Sequence, residues 1–585
     1  MCGIVGYIGF RSAREVLLSS LRRLEYRGYD SAGVAIVADE IKVEKKKGSI
    51  DNLMVDFDGS LGIGHTRWAT HGIPDDKNAH PFLDCREKLA IVHNGIIENY
   101  LSLREELIKK GHKFVSDTDS ELIAHLIEEY YQGDLKDAFF KAIRKLKGSF
   151  AIAAIHQDER KILAAKNESP LVIGIGDHEN FLASDIPAFL AYTDRVIVLK
   201  DKEVCELTDD FVQIYDFDEK EVRRDVEYIN WSLEDAEKSG YEHFMLKEIF
   251  EQPIAVDNTI HSLISRNDLD LEFDSMVIVA CGTSYHAGLV GKYIMEELLH
   301  VPVYVYYASE YRYREVLENS LTVLITQSGE TADTIAAARK AMAAGNTTLA
   351  ITNVVGSSIT NYVDMVLYTS AGPEIGVAAT KTFTAQLASL YYFAIEAARN
   401  KMLISPMRYE SLLNTLRKVP YYIEKTLSVE PRIIKEAKKI ANSKDIFFIA
   451  RGINYPIALE GALKMKEISY IHAEGYPAGE LKHGPLALIE EGVPVVTLVP
   501  VDKTYEKMLS NIKEVSARKA YVIALSPSEE AGKYVDSLIK VPDIDPLFSP
   551  FVNVVALQLL SYHTARILGR NIDKPRNLAK SVTVE

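Results

Sequence analysis

The second half of this 585-residue chain repeats a pattern of short apolar strands at a nearly constant offset. The run MVIVA at 276–280 returns as IFFIA at 446–450, 170 residues later. LTVLIT (321–326) and TTLAIT (347–352) return as PVVTLVP and YVIALS, each shifted by about 173 residues. Long helical patterns alternate with these strands, which is typical of parallel α/β units. The repeat predicts two copies of one doubly wound parallel α/β domain, with chance similarity between buried strands as the alternative.

The first 222 residues follow a different pattern, in which short β-branched runs are broken by Gly, Asp or Asn. These runs are GIVGYIGF, AGVAIVAD, LGIGHTRW, KLAIVHNGII, FAIAAIH and RVIVLKD. Apolar residues recur every three or four positions over 13–25 and 118–130, which predicts helices there. The next residues are polar and poorly periodic, as in a connecting segment. We expect an N-terminal domain, a linker, two repeated domains and a C-terminal tail, at 2–222, 223–246, 247–410, 411–567 and 568–585.

The composition excludes several classes of protein. The chain is 47% hydrophobic and 26% charged, as in soluble globular proteins. A net charge of −16 argues against a protein that binds nucleic acid or acidic membranes through a basic face. No apolar run approaches the ~18 residues of a membrane span, and the start of the chain lacks the basic region of a secretory signal. The four cysteines share no CxxC spacing, which argues against a disulfide scaffold or a thiolate zinc site. We expect a multi-domain cytoplasmic protein.

Cys2 is a candidate nucleophile. Removal of the initiator Met would leave it with a free α-amino group, whose pKa near ~8 lets it act as the base for its own thiol. A chance cysteine or an acylation site is the alternative for Cys2 considered by itself.

Polar motifs suited to holding an amino acid follow two apolar runs, in GHTRWATHG (64–72) and VHNGIIENY (92–100). The guanidinium group of Arg67 could bind a carboxylate through two parallel hydrogen bonds. Asn94 and the backbone N–H of Gly95 could form an oxyanion hole. Asp119 in SDTDSE could hold an ammonium group, although a residue at this place can also cap the following helix.

Taken with CGIVGYIG at the terminus, EYRGYDSAG (25–33) and NAHP (78–81), these motifs resemble the class II glutamine amidotransferase domain, an N-terminal nucleophile hydrolase with an αββα sandwich fold. The resemblance implies that Cys2 attacks the glutamine amide and that Asn94 and Gly95 form the oxyanion hole. It also implies a set of glutamine-binding residues: Arg67, Trp68, Thr70, His71 and Asp119. Arg27 and His80 match further positions of the family.

Two segments of the first repeat have the composition of a phosphate cradle: ACGTSYHAG (280–288) and TQSGETADT (326–334). Each lies between an apolar strand and an apolar helix, where hydroxyls, backbone N–H groups and the helix dipole favour a phosphate. Plain N-capping by Ser and Thr is the alternative. The glycine spacing of a nucleotide P-loop is absent, which argues against ATP or GTP.

The second repeat carries charged residues on an apolar helix. Glu460, Lys464 and Glu467 lie at i, i+4 and i+7, on one stripe of that helix. Because the rest of the helix is apolar, the stripe predicts a lined cleft rather than a surface ion-pair stripe. His483, in KHGP, is a candidate acid–base imidazole, and Lys580 lies in the tail motif PRNLAKSVTVE.

These segments resemble the two sugar isomerase (SIS) domains of the isomerizing glutamine–fructose-6-phosphate aminotransferases, and the likeness extends from residue 2 to the tail. It implies that Lys580 forms a Schiff base with the sugar, that Glu467 moves a proton between C1 and C2, and that His483 of a neighbouring subunit opens the sugar ring. It also implies a sugar-phosphate site at Cys281, Gly282, Thr283, Ser284, Thr326, Gln327, Ser328 and Thr331, with Lys464 and Glu460 close by.

The resemblance implies that the chain makes glucosamine 6-phosphate and glutamate from fructose 6-phosphate and glutamine, as a homodimer with a shared sugar site. Ammonia would pass internally between the two sites, with Trp68 as a gate. No metal and no organic cofactor is required, and no nucleic acid or membrane partner is expected. Two positions depart from the family's pattern: Thr326, where Ser is common, and GYPAGE at 475–480.

Three other functions remain open from the sequence. A phosphoribosyl-pyrophosphate amidotransferase would share the N-terminal domain but would need an acidic loop after a strand, which is not seen. A sugar-phosphate sensor would not need Cys2, Arg67, Asn94 and Asp119 together. The sequence does not clearly distinguish this aminotransferase from a related enzyme that acts on another sugar phosphate or that acts as a deglycase.

Overall fold

The computed structural model describes residues 2–68, 73–229, 238–264 and 271–582. Thr70 and His71 lie outside this part of the chain. Among the described residues, no helix combines the length and the apolar character needed to cross a membrane.

The N-terminal domain contains two antiparallel sheets. One has the strand order β15-β11-β9-β10-β1-β4-β2-β3, and the other β14-β13-β12-β8-β7-β6-β5. The strands are β1 Gly3–Ile8, β2 Ser31–Val37, β3 Ile41–Lys47, β4 Leu61–Arg67, β5 Phe82–Leu83, β6 Leu89–Ile97, β7 Gly148–His156, β8 Glu159–Asn167, β9 Val172–Ile175, β10 Asn180–Ala183, β11 Arg195–Val198, β12 Glu203–Leu207, β13 Val212–Asp216, β14 Glu221–Val222 and β15 Glu227–Tyr228.

Helices cover the outer face of each sheet. They are α1 Ala13–Arg23, α2 Tyr100–Lys109, α3 Glu121–Tyr130 and α4 Leu135–Ile143. Side chains of both sheets share one apolar core, α1 packs on the outside of the first sheet, and α2–α4 pack on the second. This αββα arrangement confirms the predicted fold, and α1 and α3 confirm the two predicted helices.

The second half contains two five-stranded parallel sheets with matching strand orders, β17-β16-β18-β19-β20 and β22-β21-β23-β24-β25. The strands are β16 Ser275–Ala280, β17 Val303–Tyr307, β18 Ser320–Ile325, β19 Thr347–Thr352, β20 Met365–Tyr368, β21 Asp445–Ala450, β22 His472–Pro477, β23 Pro494–Leu498, β24 Tyr521–Ser526 and β25 Ser537–Lys540. The three strand pairs of the sequence repeat, led by β16 and β21, occupy equivalent places in the two sheets. The doubly wound repeat is confirmed.

Helices surround both parallel sheets and share a continuous apolar core between them. They are α5 Phe244–Phe250, α6 Gln252–Ile264, α7 Gly282–Leu299, α8 Ala308–Tyr311, α9 Ala332–Ala343, α10 Lys381–Asn400, α11 Pro406–Leu427, α12 Glu430–Ile440, α13 Tyr455–Ser469, α14 Tyr505–Ser516 and α15 Ser549–Ile567. Because α13 packs against α7 and α15, its charged stripe lies inside the protein rather than on the surface.

The segment predicted as a linker includes a short strand. β15 pairs with β11 at the edge of the first sheet, and α5 begins at Phe244. The domain boundaries themselves stay predictions.

The C-terminal tail is docked across both halves of the chain. Asp573 accepts hydrogen bonds from the backbone N–H groups of Phe244 and Met245, both at 3.0 Å, which holds the tail to the start of α5. The backbone carbonyl of Val582 accepts a hydrogen bond from the N–H of Ala332 at the start of α9. The tail thereby forms part of the wall of a cavity at the starts of α7 and α9.

Candidate active sites

Cys2 lies immediately before β1, beside the end of β4. The backbone N–H of Trp68 lies 3.3 Å from the Cys2 Sγ atom and donates to it. Arg67, the last residue of β4, is buried, and the carboxylates of Asp30, Asp75 and Asp119 act on its charge from nearby. The structure thus places a thiol, a buried guanidinium and an aromatic residue at the end of one strand.

Asn94 faces Cys2 from the neighbouring sheet. Its Nδ2 donates to the Cys2 carbonyl oxygen at 3.1 Å and to Ser184 Oγ at 2.9 Å. Its Oδ1 lies 2.9 Å from His65 Nε2, which is also 3.1 Å from the His93 carbonyl oxygen. His80 Nδ1 also lies 2.9 Å from His65 Nε2. Since both oxygens can only accept, a proton on His65 Nε2 satisfies them and holds the Asn94 amide with its NH2 group towards Cys2.

Gly95 has a backbone φ of 124°, in the region that favours glycine. A Cβ atom here would lie 2.0 Å from the carbonyl oxygen of Ser149 on β7. A side chain at this position would therefore force β6 away from β7 beside Asn94.

Asp119 does not cap α3. Its Oδ2 accepts a hydrogen bond of 2.8 Å from the backbone N–H of Ile97, at the end of β6. Ser120 occupies the N-cap position of α3 and makes no side-chain capping bond. Asp119 is thus a buried carboxylate attached to the same strand as Asn94 and Gly95.

The sugar-site candidates from four separate segments meet at one cavity of about 310 Å³. The predicted residues that line it are Cys281, Gly282, Thr283, Ser284, Thr326, Gln327, Ser328, Thr331, Glu467 and Lys580. Cys281 and Thr331 are the N-cap residues of α7 and α9, and neither makes a side-chain capping bond. The alternative that these segments serve only as helix caps is therefore not supported at these two positions.

Two helix N-termini thus point towards the same cavity, and unpaired backbone donors with the positive end of a helix dipole favour an anion. Thr326 retains the hydroxyl of the family's common Ser: its Oγ1 lies 3.2 Å from Thr331 Oγ1 and accepts from the N–H of Gly329 at 3.3 Å. The second departure also has a local reason, because a Cβ atom on Gly475 would lie 2.8 Å from the Leu459 Cα on α13.

Glu460 and Lys464 lie behind the cavity rather than on its wall. Lys464 Nζ donates to Thr283 Oγ1 at 2.9 Å, and that hydroxyl donates to Glu460 Oε1 at 3.0 Å. Glu460 Oε2 is 2.7 Å from His286 Nδ1. These contacts join the start of α7 to the middle of α13, so the two residues hold Thr283 in place.

Glu467 is the member of the charged stripe that reaches the cavity, with its Oε2 2.6 Å from Lys464 Nζ. Burial raises the pKa of Glu467 above its usual value despite the neighbouring ammonium group. Burial by itself would lower the pKa of Lys464, but the Glu460 and Glu467 carboxylates outweigh it and raise that pKa. A proton-accepting carboxyl beside a fixed cation suits a general base.

Lys580 reaches the cavity from the tail and is buried there. Its ammonium group contacts the carboxylate of Glu374 and donates to the carbonyl oxygen of Gly376 at 2.8 Å. Glu374 also accepts from Thr380 N–H at 2.8 Å and from Thr382 Oγ1 at 2.7 Å. Sequence analysis missed Glu374, because nothing local in PEIGVAATKT reveals a partner at the far end of the chain.

His483 ends a 3-10 helix, Ala478–His483, and is exposed. It is not among the described residues that line the cavity of its own chain. Its predicted role belongs to a neighbouring subunit and stays a prediction.

The SIS domain model matches residues 272–396 and 439–568, and the glutamine amidotransferase domain model matches residues 65–191. A glutamine–fructose-6-phosphate aminotransferase [isomerizing] from Aquifex aeolicus is 51% identical over all of both chains, and one from Thermococcus kodakarensis is 53% identical over all of both. The chain belongs to this aminotransferase family.

A solved structure agrees with the family in the second half. The C-terminal domain of glucosamine-fructose-6-phosphate aminotransferase from Francisella tularensis covers 58% of this chain and all of its own, with 41% identity and a TM-score of 0.55. The predicted resemblance to this aminotransferase family is thus confirmed for both halves of the chain.

A smaller cavity of about 60 Å³ lies between the two sites. Its walls include Arg27 and Ser184 from the N-terminal domain and Ser328 and Lys580 from the sugar half. Arg27 Nε also donates to the Cys2 carbonyl oxygen at 3.2 Å. One wall residue therefore touches the residue that carries the thiol, while another lines the sugar cavity.

Tyr29 contacts both Trp68 and the tail that carries Lys580. Sequence analysis did not identify it as a functional residue. Its ring packs edge-on against Trp68, with centroids 5.4 Å apart. Its hydroxyl donates to the carbonyl oxygens of Pro575 at 3.1 Å and Leu578 at 3.3 Å. The tail that carries Lys580 is thereby bonded to a neighbour of Trp68.

Proposed function

We propose that the chain converts fructose 6-phosphate and glutamine into glucosamine 6-phosphate and glutamate, as the names of its relatives describe. The observation that carries this proposal is the convergence of two predicted phosphate segments, Glu467 and Lys580 on one cavity. A sensor that only binds a sugar phosphate would not need the second site built around Cys2.

In the first half-reaction the Cys2 thiolate attacks the amide carbon of glutamine, and ammonia leaves. Asn94 Nδ2 and the N–H of Gly95 stabilise the oxyanion, and water then releases glutamate. Arg67 and Asp119 hold the carboxylate and the ammonium group of the substrate. The bond from His65 supports this assignment, because it keeps the Asn94 donor turned towards Cys2.

Ammonia then passes through the small cavity between the sites. Free ammonia is largely protonated in water at neutral pH and does not attack a carbonyl in that form. Passage between Arg27 and Lys580 takes it directly from one half of the chain to the other, and a cavity of this size accepts molecules as small as water or ammonia. Trp68 gates the passage from the glutamine side.

In the second half-reaction the phosphate binds at the starts of α7 and α9. Lys580 gives up a proton, and its neutral amine forms a Schiff base with C2 of the opened sugar and releases the carbonyl oxygen as water. Ammonia displaces the lysine, and Glu467 transfers a proton between C1 and C2 to give the aldose. Glu460 and Lys464 hold the Thr283 side of the cavity, and the pair with Glu374 positions the Lys580 ammonium group.

A coupled assay tests the proposal. Purified protein receives glutamine and fructose 6-phosphate, and glutamate and glucosamine 6-phosphate are quantified. We expect equal amounts of both products, a Cys2→Ala variant that uses ammonia but not glutamine, and a Lys580→Ala variant that makes no amino sugar from either. Glutamate without amino sugar, or normal synthesis by Lys580→Ala, would contradict the proposal.

We further infer that the enzyme is a homodimer in which His483 of a second copy opens the sugar ring. His483 is exposed in its own chain, where it is available to a neighbour. Mixing inactive His483→Ala and Lys580→Ala subunits tests this. Roughly a quarter of the wild-type activity should return, because half of randomly mixed dimers are heterodimers with one intact site. No recovery in demonstrably mixed dimers would count against sharing.

Unpaired thiols at Cys2 and Cys281 suit a reducing compartment. We infer a cytoplasmic location on that basis.

A further inference from the structure

Four metal-ligand side chains meet on the outside of the second sheet of the N-terminal domain: Cys85, His112, His125 and Glu128. Cys85 lies in the turn between β5 and β6, and His112 lies in the connection between α2 and α3. His125 and Glu128 are three residues apart on one face of α3. Their ligand atoms all lie within 4.8 Å of one another.

Four of the six distances between these atoms are close to those of a tetrahedral zinc site. Cys85 Sγ lies 3.7 Å from His112 Nδ1 and 3.4 Å from His125 Nδ1. Glu128 Oε2 lies 3.2 Å from His112 Nδ1 and 3.5 Å from His125 Nδ1. Zinc bond lengths with tetrahedral angles place sulfur and nitrogen ligands about 3.6 Å apart, and nitrogen and oxygen ligands about 3.3 Å apart.

The outer nitrogen of each histidine faces a carboxylate. His112 Nε2 lies 3.2 Å from Glu129 Oε2, and His125 Nε2 lies 3.6 Å from Glu121 Oε1. Zinc-bound histidines hydrogen-bond their second nitrogen to a carboxylate, which fixes the ring and leaves the inner nitrogen free of its proton. His112 makes this contact, whereas the 3.6 Å separation at His125 is longer than a hydrogen bond. Both rings here present Nδ1 to the cluster.

Backbone N–H groups orient the two anionic ligands. The N–H of Lys113 donates to Cys85 Sγ at 3.5 Å, and the N–H of Cys85 donates to Glu128 Oε2 at 3.0 Å. A thiolate and a carboxylate together balance the charge of one divalent ion. The mixed sulfur, nitrogen and oxygen set favours zinc over the hard ions Mg²⁺ and Ca²⁺.

We propose that Cys85 Sγ, His112 Nδ1, His125 Nδ1 and Glu128 Oε2 bind one structural Zn²⁺ ion. Four protein ligands leave no open position, so the site is structural rather than catalytic. The ion joins the β5–β6 turn to α3, the two elements that flank Asn94 and Asp119. This proposal departs from the sequence analysis, which argued against a thiolate zinc site because no CxxC spacing is present. The ligands come from three segments and include a single cysteine, so no local motif marks them.

Metal analysis of the full-length protein tests this proposal. The chain is produced with zinc present, dialysed, and its metal content is measured by mass spectrometry. We expect about one zinc ion per chain in the wild type and less than about a tenth of that in Cys85→Ser and in His112→Asn. His112→Asn provides a second test in case Cys85→Ser does not fold, and circular dichroism checks that each variant is folded.

Two cysteine variants are the matched controls. Cys205→Ala alters a buried cysteine on β12, and Cys2→Ala alters the glutaminase cysteine; both should keep the zinc. Replacement of zinc by Co²⁺ should give a thiolate charge-transfer band that Cys85→Ser lacks. A zinc-free wild type after reconstitution, zinc retained by Cys85→Ser, or zinc lost from Cys2→Ala would each overturn the proposal.

Thermal unfolding provides an independent readout. A chelator should lower the melting temperature of the wild type and leave that of the folded His112→Asn variant unchanged, since a ligand that binds only the native state stabilises it. Equal shifts in both proteins would contradict a site at this cluster.

Discussion

The ammonium group of Lys580 is paired with the carboxylate of Glu374 inside the protein, where both side chains are almost fully buried. Glu374 is held in turn by hydrogen bonds from the backbone and side chain at the start of α10. The lysine is therefore fixed by an element far from it in sequence.

Glu374→Gln should lower ammonia-dependent synthesis about 100-fold, because a misplaced reacting group costs a factor of that order. It should also lower the free energy of unfolding by about 3–5 kcal/mol, since Lys580 would keep a buried charge without its partner. Steady-state kinetics and chemical unfolding measure the two effects. Glu251→Gln is the control, because Glu251 pairs with Lys381 at 2.7 Å in a less buried position. This substitution should lower both the synthesis rate and the free energy of unfolding by less than Glu374→Gln does. Equal effects of the two variants would argue against a special role for Glu374.

Gly95→Ala should reduce glutamine hydrolysis by about 10²–10³, the loss expected for an oxyanion hole with a misplaced donor. The added methyl group would overlap the Ser149 carbonyl oxygen and push β6 from β7. Gly111→Ala is a matched control: its φ is 102°, yet its Cβ would meet nothing within 4 Å. Gly111→Ala should lower the free energy of unfolding by about 1–2 kcal/mol and leave glutaminase activity unchanged. Similar glutaminase rates in both variants would refute the steric argument.

The buried histidines of the N-terminal domain should make it sensitive to acid. Burial lowers the pKa of His93 below its usual value, and it lowers the pKa of His65 to about 3. Unfolded histidine has a pKa near ~6.5, so between about pH 6.5 and 3 the unfolded chain binds more protons and stability falls as the pH falls. Each such histidine contributes at most about 1.4 kcal/mol per pH unit.

His93→Gln should therefore flatten the loss of protection from hydrogen exchange in β6 between pH 7 and pH 5. His178→Gln serves as the comparison, because His178 is exposed and its pKa is raised by Asp210. An unchanged pH dependence in His93→Gln would mean that other groups control the acid response.

Tyr29→Phe should uncouple the two sites without destroying either. It removes the hydroxyl whose single proton is shared between the carbonyl oxygens of Pro575 and Leu578, a hydrogen bond worth about 0.5–1.5 kcal/mol. We expect less glucosamine 6-phosphate than glutamate from glutamine, with ammonia-dependent synthesis reduced less. Tyr409→Phe loses a hydroxyl bonded to Glu396, on a helix pair away from both sites, and should keep equal yields. Equal yields in Tyr29→Phe would show that the tail is held without this residue.

The parts of the fold that could be predicted are those in which a strand corresponds to a continuous apolar run in the sequence. Parallel strands buried on both faces, such as β16 and β21, read as such runs and revealed the repeat. Antiparallel strands with mixed polar patterns, such as β12 and β13, gave no comparable signal. β15 lies within residues that read as a linker, because two residues are too few to show a period.

The same distinction holds for the sites. The segments around Thr326 and Cys281 could be predicted because their hydroxyls, glycines and helix start lie together in sequence. Glu374 and Tyr29 could not, since their partners are in the tail and only the folded chain brings them close. The four-residue cluster at Cys85 is hidden for the same reason.

The pairing of Lys580 with Glu374 also determines when the ion pair can form during synthesis on the ribosome. The two residues are separated by 206 positions. At about 5–20 residues per second, Glu374 leaves the ribosome's catalytic centre roughly 10–40 s before Lys580 is added. During that interval the growing chain contains Glu374 but not its cationic partner, and it lacks the tail residues that form one wall of the cavity. Newly made chains therefore pass through a stage in which the glutaminase residues are all present but the acceptor site is not, and release of the tail from the ribosome is the event that joins them.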